Sequence, residues 1–127
     1  MDVLVFIGRV IFGLFLLYSG IHHFTSYQAL KGFASFKKLP VPGVSVVVSG
    51  LLLVFGGVSA LAGWLLPYGM IAAALFLLMA SLTLHNYWVE TDPAGRSGQQ
   101  VNFNKNLALM GAALLFIQMP LTVWWIH

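Results

Sequence analysis

Apolar residues in this chain fall into four long runs, and polar residues are gathered between them. The runs cover 3–24, 43–64, 67–88 and 103–126. Each holds about 20 residues or more, enough at about 1.5 Å of rise per residue to cross a hydrocarbon core roughly 30 Å thick. The pattern predicts an all-α membrane protein: a four-transmembrane-helix up-and-down bundle in one domain, residues 1–127. Pro67 suits the first position of the third helix, and Pro120 places a kink near the end of the fourth.

The connections differ in character. Between the second and third runs lies a tight uncharged hairpin at Leu65-Leu66. The stretch 25–42 reads as a short interfacial helix, with Tyr27, Leu30, Phe33, Ala34 and Phe36 on its apolar face and Lys31, Lys37 and Lys38 toward headgroups. Leu39-Pro40-Val41-Pro42 ends it, because a residue before proline is pushed out of helical backbone. The third connection is polar, and the stretch 83–111 around it carries Glu90 and Asp92, two of the chain's three acids.

Small residues share helical faces and predict close packing. On the second run these are Ser45, Ser49, Gly56, Ser59 and Gly63; comparable stripes run along the first, through Gly8, Phe12, Phe15, Ser19 and His22 with Gly13 and Gly20 nearby, and along the fourth, through Asn104, Ala108, Gly111, Leu115, Gln118 and Thr122.

Composition supports the membrane reading. Mean hydropathy is +0.92 and only 7% of residues are charged, against about 25% in a soluble domain. The formal charge of +3 is carried by scattered bases, which suits anionic headgroups and not nucleic acid. Without cysteine, the chain has no disulfide, iron–sulfur ligation or thiol chemistry of its own. Met1-Asp2 is not followed by a basic segment, so the first run is expected to be a retained helix and not a cleaved signal. Lys31, Lys37, Lys38, Arg96 and Lys105 all fall on the side of the two polar connections. The positive-inside rule puts that side in the cytoplasm and the termini outside.

An up-and-down bundle gathers chemistry at this polar end. It brings Tyr18, Ser19, His22 and His23 toward His85, Asn86, Tyr87, Trp88 and Glu90, and toward Asn102, Asn104, Lys105 and Asn106. Histidine exchanges protons near neutral pH, and Lys and Asn donate to carbonyls or anions, as a quinone-head or small-anion site would need. His23, offset from the Ser19 and His22 stripe, reads as an interfacial polar residue. His85 reads as inward-facing, with Ser81 a turn back and Trp88 nearly a turn on. Lys105 stands at the start of the fourth helix, where the helix dipole disfavours a cation, and Glu90 is its expected partner.

Arg9 is the one charge clearly inside the bilayer, with no intramembrane carboxylate to pair with. It is expected to snorkel toward the outer headgroups and Asp2, or to donate to Ser59, Tyr68, Gln118 and Thr122. A haem ligated by His85 and His22 or His23 is disfavoured, zinc on His22, His23, His85 and Glu90 more so, and no metal or intrinsic cofactor is expected.

The run His85-Asn86-Tyr87-Trp88, then Asp92-Pro93, then Phe103-Asn104-Lys105-Asn106-Leu107-Ala108-Leu109 resembles the motif of the DoxX family. Arg9 with Gly13, Ser19-Gly20, Leu39-Pro40 and Gly56-Gly57 are similar to its weaker landmarks. The resemblance implies a small four-helix protein of a prokaryotic cytoplasmic (inner) membrane, in a family named after subunits linked to thiosulfate:quinone oxidoreduction and terminal oxidases. It carries over Arg9, His85, Trp88, Lys105 and Asn106. Two departures stand out: His22-His23 where many relatives have a Lys, and Val54 where many have an acid.

The expected function is a membrane subunit supporting electron transfer between a redox partner and the quinone pool. Its binding residues would be His85, Trp88, Lys105, Asn106, Ser19, His22 and Arg9. The sequence leaves open whether such a subunit is catalytic. Expected partners are the lipid bilayer, a redox protein and a second copy of the chain. The alternative is a non-catalytic membrane anchor or assembly factor docking a partner. A small-solute carrier is third, since four short helices leave little room for alternating access without oligomerising.

Overall fold

The computed structural model describes residues 2–118. They are helical, with no strand among them: α1 (Asp2–Thr25), α2 (Tyr27–Phe36), α3 (Pro42–Ala62), α4 (Leu66–Thr83) and α5 (Pro93–Ile117), with a single 3-10 turn at Tyr87–Val89 before α5. Three segments are long and apolar enough to cross a membrane: Val3–Thr25, Pro42–Ala62 and Leu66–Val89. Pro120, Thr122 and the end of the run 103–126 lie outside the described residues.

The helix boundaries come from local chemistry. α3 starts at Pro42, whose lost N–H is one the first turn leaves unpaired in any case. It stops where Gly63 takes a left-handed φ of 73° and returns its N–H to the Ser59 carbonyl at 2.8 Å. Leu65, also left-handed at φ 49°, completes the turn into α4.

The third helix ends earlier than the apolar run suggests, at Thr83 and not near residue 88. The N–H groups of Leu84 and His85 both close on the Ala80 carbonyl, at 2.8 and 3.1 Å. His85, Asn86, Tyr87 and Trp88 therefore lie beyond α4. The next helix starts about ten residues before the expected position, because Asp92 is extended ahead of Pro93 and caps α5 through the Gly95 N–H at 3.0 Å. The presumed polar turn after Asp92 is the first third of a helix, in spite of Gly95 and Gly98.

Helix α3 sits at the centre and presents glycine on two sides. Toward α1, a Cβ on Gly57 would meet the Leu17 backbone nitrogen at 2.7 Å, and one on Gly20 would meet the Val54 nitrogen at 2.8 Å. Toward α4, Gly56 faces Ala73 and Gly69 faces the Ser59 side chain. In lipid, such close backbone approach supplies the dispersion contact that hydrophobic burial supplies in water. Gly8 and Gly111, which share the predicted stripes, have no close neighbour among the described residues. The core joins Phe12, Leu16, Leu53, Ala60, Leu66, Met70, Ala73, Ala74 and Ala113. Phe12 also meets Phe116 of α5 at a ring distance of 5.0 Å, tying α1 to α5 at the end away from the polar connections.

Candidate functional site

Toward the polar end a cavity of about 420 Å³ opens between α1 and α5. Phe15, Tyr18, Ser19, His22 and His23 of α1 line one side. Asn102, Lys105 and Asn106 of α5 line the other, with Leu84 and His85 from the segment after α4. Leu53, Phe76, Leu77 and Ala80 form the floor, and Leu30 and Phe33 of α2 form the roof. None of these residues is acidic. A second hollow of about 460 Å³ at the α2–α3 joint is lined by Val41, Pro42, Gly43, Val44 and Val47, with Tyr27 and Lys31 as its polar side chains.

Of the residues singled out in the sequence, Ser19, His22, His85, Lys105 and Asn106 line the cavity, whereas Trp88 and Arg9 do not. Trp88 is exposed and packs edge-on against Tyr87 at 5.4 Å and Phe103 at 5.6 Å. It fastens the 3-10 turn to α5. Arg9 lies about one turn beyond Gly13, which packs at Ala60 and Leu61, and so belongs to the opposite end. It is fully buried, so it does not snorkel to headgroups.

Lys105 stands three turns inside α5 and not at its start, which removes the unfavourable dipole expected there. Glu90 is not its partner either. That carboxylate pairs with Lys37 of α2 at 3.3 Å, and the same ammonium donates to Asn86 Oδ1 at 2.7 Å. The Lys37 side chain is only 7% exposed and does not reach outward to headgroups as the α2 pattern suggested. Phe36 is the residue that points away, 75% exposed. Lys37 thereby holds the cavity's roof against the turn after α4.

Three side chains define what the cavity can bind. Asn106 is 7% exposed and its carboxamide has no hydrogen-bond partner among the described residues. A buried amide facing a cavity has its bonding capacity directed at whatever fills that cavity. His85 is oriented by Gln99, its Nδ1 2.7 Å from the Gln99 Oε1. His23 is anchored to α3, with Nδ1 3.1 Å from the Val46 carbonyl and 3.0 Å from the Ser49 hydroxyl. Its ring meets Phe76 edge-on at 5.5 Å. His22, set on the predicted stripe, is the more exposed of the pair and stacks on Tyr18.

Sequence reasoning set His23 aside as an interfacial residue, sent Lys37 toward headgroups and did not single out Gln99. For His23 a signal existed, since it follows Ser19 by four residues and shares its helical face. For Lys37 and Gln99 there was none, because their partners are 53 and 14 residues away.

A multi-pass helical membrane protein with a basic, amide-lined cavity at one end is the class that this arrangement defines. The DoxX family model matches residues 4–86, about two thirds of the chain, and the protein belongs to that family. The match ends at Asn86, so Lys105 and Asn106 lie outside it. No curated protein and no solved structure matches the chain.

Proposed function

We propose that this DoxX-family protein is a membrane subunit supporting electron transfer between a redox partner and the quinone pool, and that its cavity holds the quinone head. The observation that carries the reading is Asn106: a buried residue whose carboxamide has no hydrogen-bond partner among the described residues, on the wall of a cavity whose floor and roof are aromatic and aliphatic. A flat ring with oxygen at its edge suits both parts of that lining, and Lys105 supplies a further donor. In this reading the apolar run 103–126 is the fourth crossing, and α2 lies at the interface with Lys31 and Lys38 toward headgroups. The polar connections face the cytoplasm of a prokaryotic cell and the termini face outward, following the distribution of Lys and Arg. The test is extraction of gently purified protein followed by mass spectrometry. Quinone in near-stoichiometric amount is expected; repeated absence together with no quinone-dependent activity ends the reading.

One observation favours docking as a second role. The first turns of α5 and the turn before it expose Asp92, Arg96, Ser97 and Trp88 as a polar and aromatic surface outside the apolar helices. A redox protein or a further subunit would seat there. Arg96→Glu should abolish co-purification of a defined partner and leave His85→Phe without effect on it. Arg96 is the better probe because Asp92 caps α5.

A further inference from the structure

A neutral imidazole has one donor and one acceptor nitrogen, so the partner of one nitrogen decides what the other offers. At His23 that choice is made by chemistry. The Val46 carbonyl can only accept, so Nδ1, 3.1 Å away, carries the proton and donates it. The Ser49 hydroxyl beside the same nitrogen gives its own hydrogen to the Ser45 carbonyl at 2.7 Å and is likewise an acceptor toward His23. Val46 and Ser49 belong to α3 and do not line the cavity, whereas His23 does. Nε2 is the atom left for the cavity, and it is a lone pair. No acid lines the cavity. His85 is less determined, because the Gln99 amide carries a donor as well as an acceptor.

We infer that His23 makes the cavity select the oxidation state of its ring ligand, holding the hydroquinone more tightly than the quinone. The inference rests on the quinone-head reading above. A hydroquinone hydroxyl donates to the His23 Nε2, whereas a quinone carbonyl at the same place sets two acceptors against each other. The opposite wall does not discriminate, since the Asn106 carboxamide both donates and accepts and Lys105 donates to either oxygen. Selection therefore arises on the α1 side, and the mismatch corresponds to roughly tenfold in affinity.

The test is equilibrium dialysis of the full chain in lipid nanodiscs, under anaerobic conditions, against a short-chain alkyl benzoquinone and its chemically reduced hydroquinone. The hydroquinone should bind about tenfold tighter. His23→Phe should bring the ratio close to one by weakening the hydroquinone alone, while His23→Gln, which keeps an acceptor oxygen, should retain part of the preference. Equal binding of the two forms by the unmodified chain, or tighter quinone, overturns the selection and leaves the quinone-head reading standing. A ratio that persists in folded His23→Phe also overturns it. Binding of neither form removes both. The ratio in the unmodified chain decides the matter even where the Phe variant does not fold.

Discussion

Helix α1 has two sides of opposite construction. Against α3 it forms a seam without room, where Gly13 and Gly20 of α1 meet Gly57 and Gly50 of α3 at backbone distance. Toward α5 it touches through Phe12 and Phe116 at one end and then opens into the cavity. The seam is glycine because dispersion between helices in lipid grows as backbones approach. The opening is lined with histidine, amide and aromatic side chains. One helix thus carries rigidity on one side and a binding surface on the other, and each should fail in its own way.

The largest effect is expected at the seam. Gly57→Val places a side chain against the Leu17 nitrogen and the Gly13 carbonyl, and should cost about 3 kcal/mol or more because backbone cannot yield as a side chain can. Thermal unfolding in detergent measures it, and an unchanged Tm would mean that α1 and α3 do not pack this way.

The roof comes next. Glu90→Gln leaves the buried Lys37 ammonium with Asn86 as its remaining hydrogen-bond partner, and should cost about 1–3 kcal/mol. Lys37→Met combined with Glu90→Gln should recover part of that loss, since an unpaired buried charge costs more than an apolar side chain in its place. Labelling of a cysteine introduced at Leu84, on the cavity wall, should be faster in the single variant than in the parent.

The cap of α5 is smaller. Asp92→Ala removes the acceptor of the Gly95 N–H and should cost about 1 kcal/mol. The loss should be confined to the start of α5, where hydrogen exchange would register it.

The smallest effect on folding is expected inside the cavity. Asn106→Leu removes a buried amide that has no hydrogen-bond partner among the described residues, so stability should stay within about 0.5 kcal/mol or rise. Co-purifying quinone should be lost in the same variant. A large destabilisation with quinone retained would assign Asn106 to the fold and not to the site.

Much of this architecture was legible in the sequence. Apolar runs of bilayer length gave α1, α3 and the greater part of α4, because a backbone in lipid has few alternatives to a helix. Glycine and serine on α3 announced a tight contact, whereas Gly8 and Gly111 meet no close neighbour among the described residues, as a small residue permits close approach without requiring it. The start of α5 was legible but misread: Asp92-Pro93 is an N-cap followed by proline, a stronger local signal than the two glycines that follow. The cavity lining was legible in part. Ser19, His22, His85, Lys105 and Asn106 converge because antiparallel connections bring alternate helix ends together, which follows from order along the chain. Which of the two adjacent histidines is fixed, and by what, was not.

The sequence by itself determined the solvent of this protein, the membrane, and the end of the bundle where polar chemistry gathers, since both follow from hydropathy and connectivity. The tertiary structure alone decided the pairing: Lys37 with Glu90 and not with headgroups, His23 with Val46, His85 with Gln99, and Arg9 buried away from the cavity. Hydropathy is a property of each residue and is additive along the chain. A hydrogen bond or an ion pair is a property of two residues and depends on distance and direction, which exist only once the helices have packed.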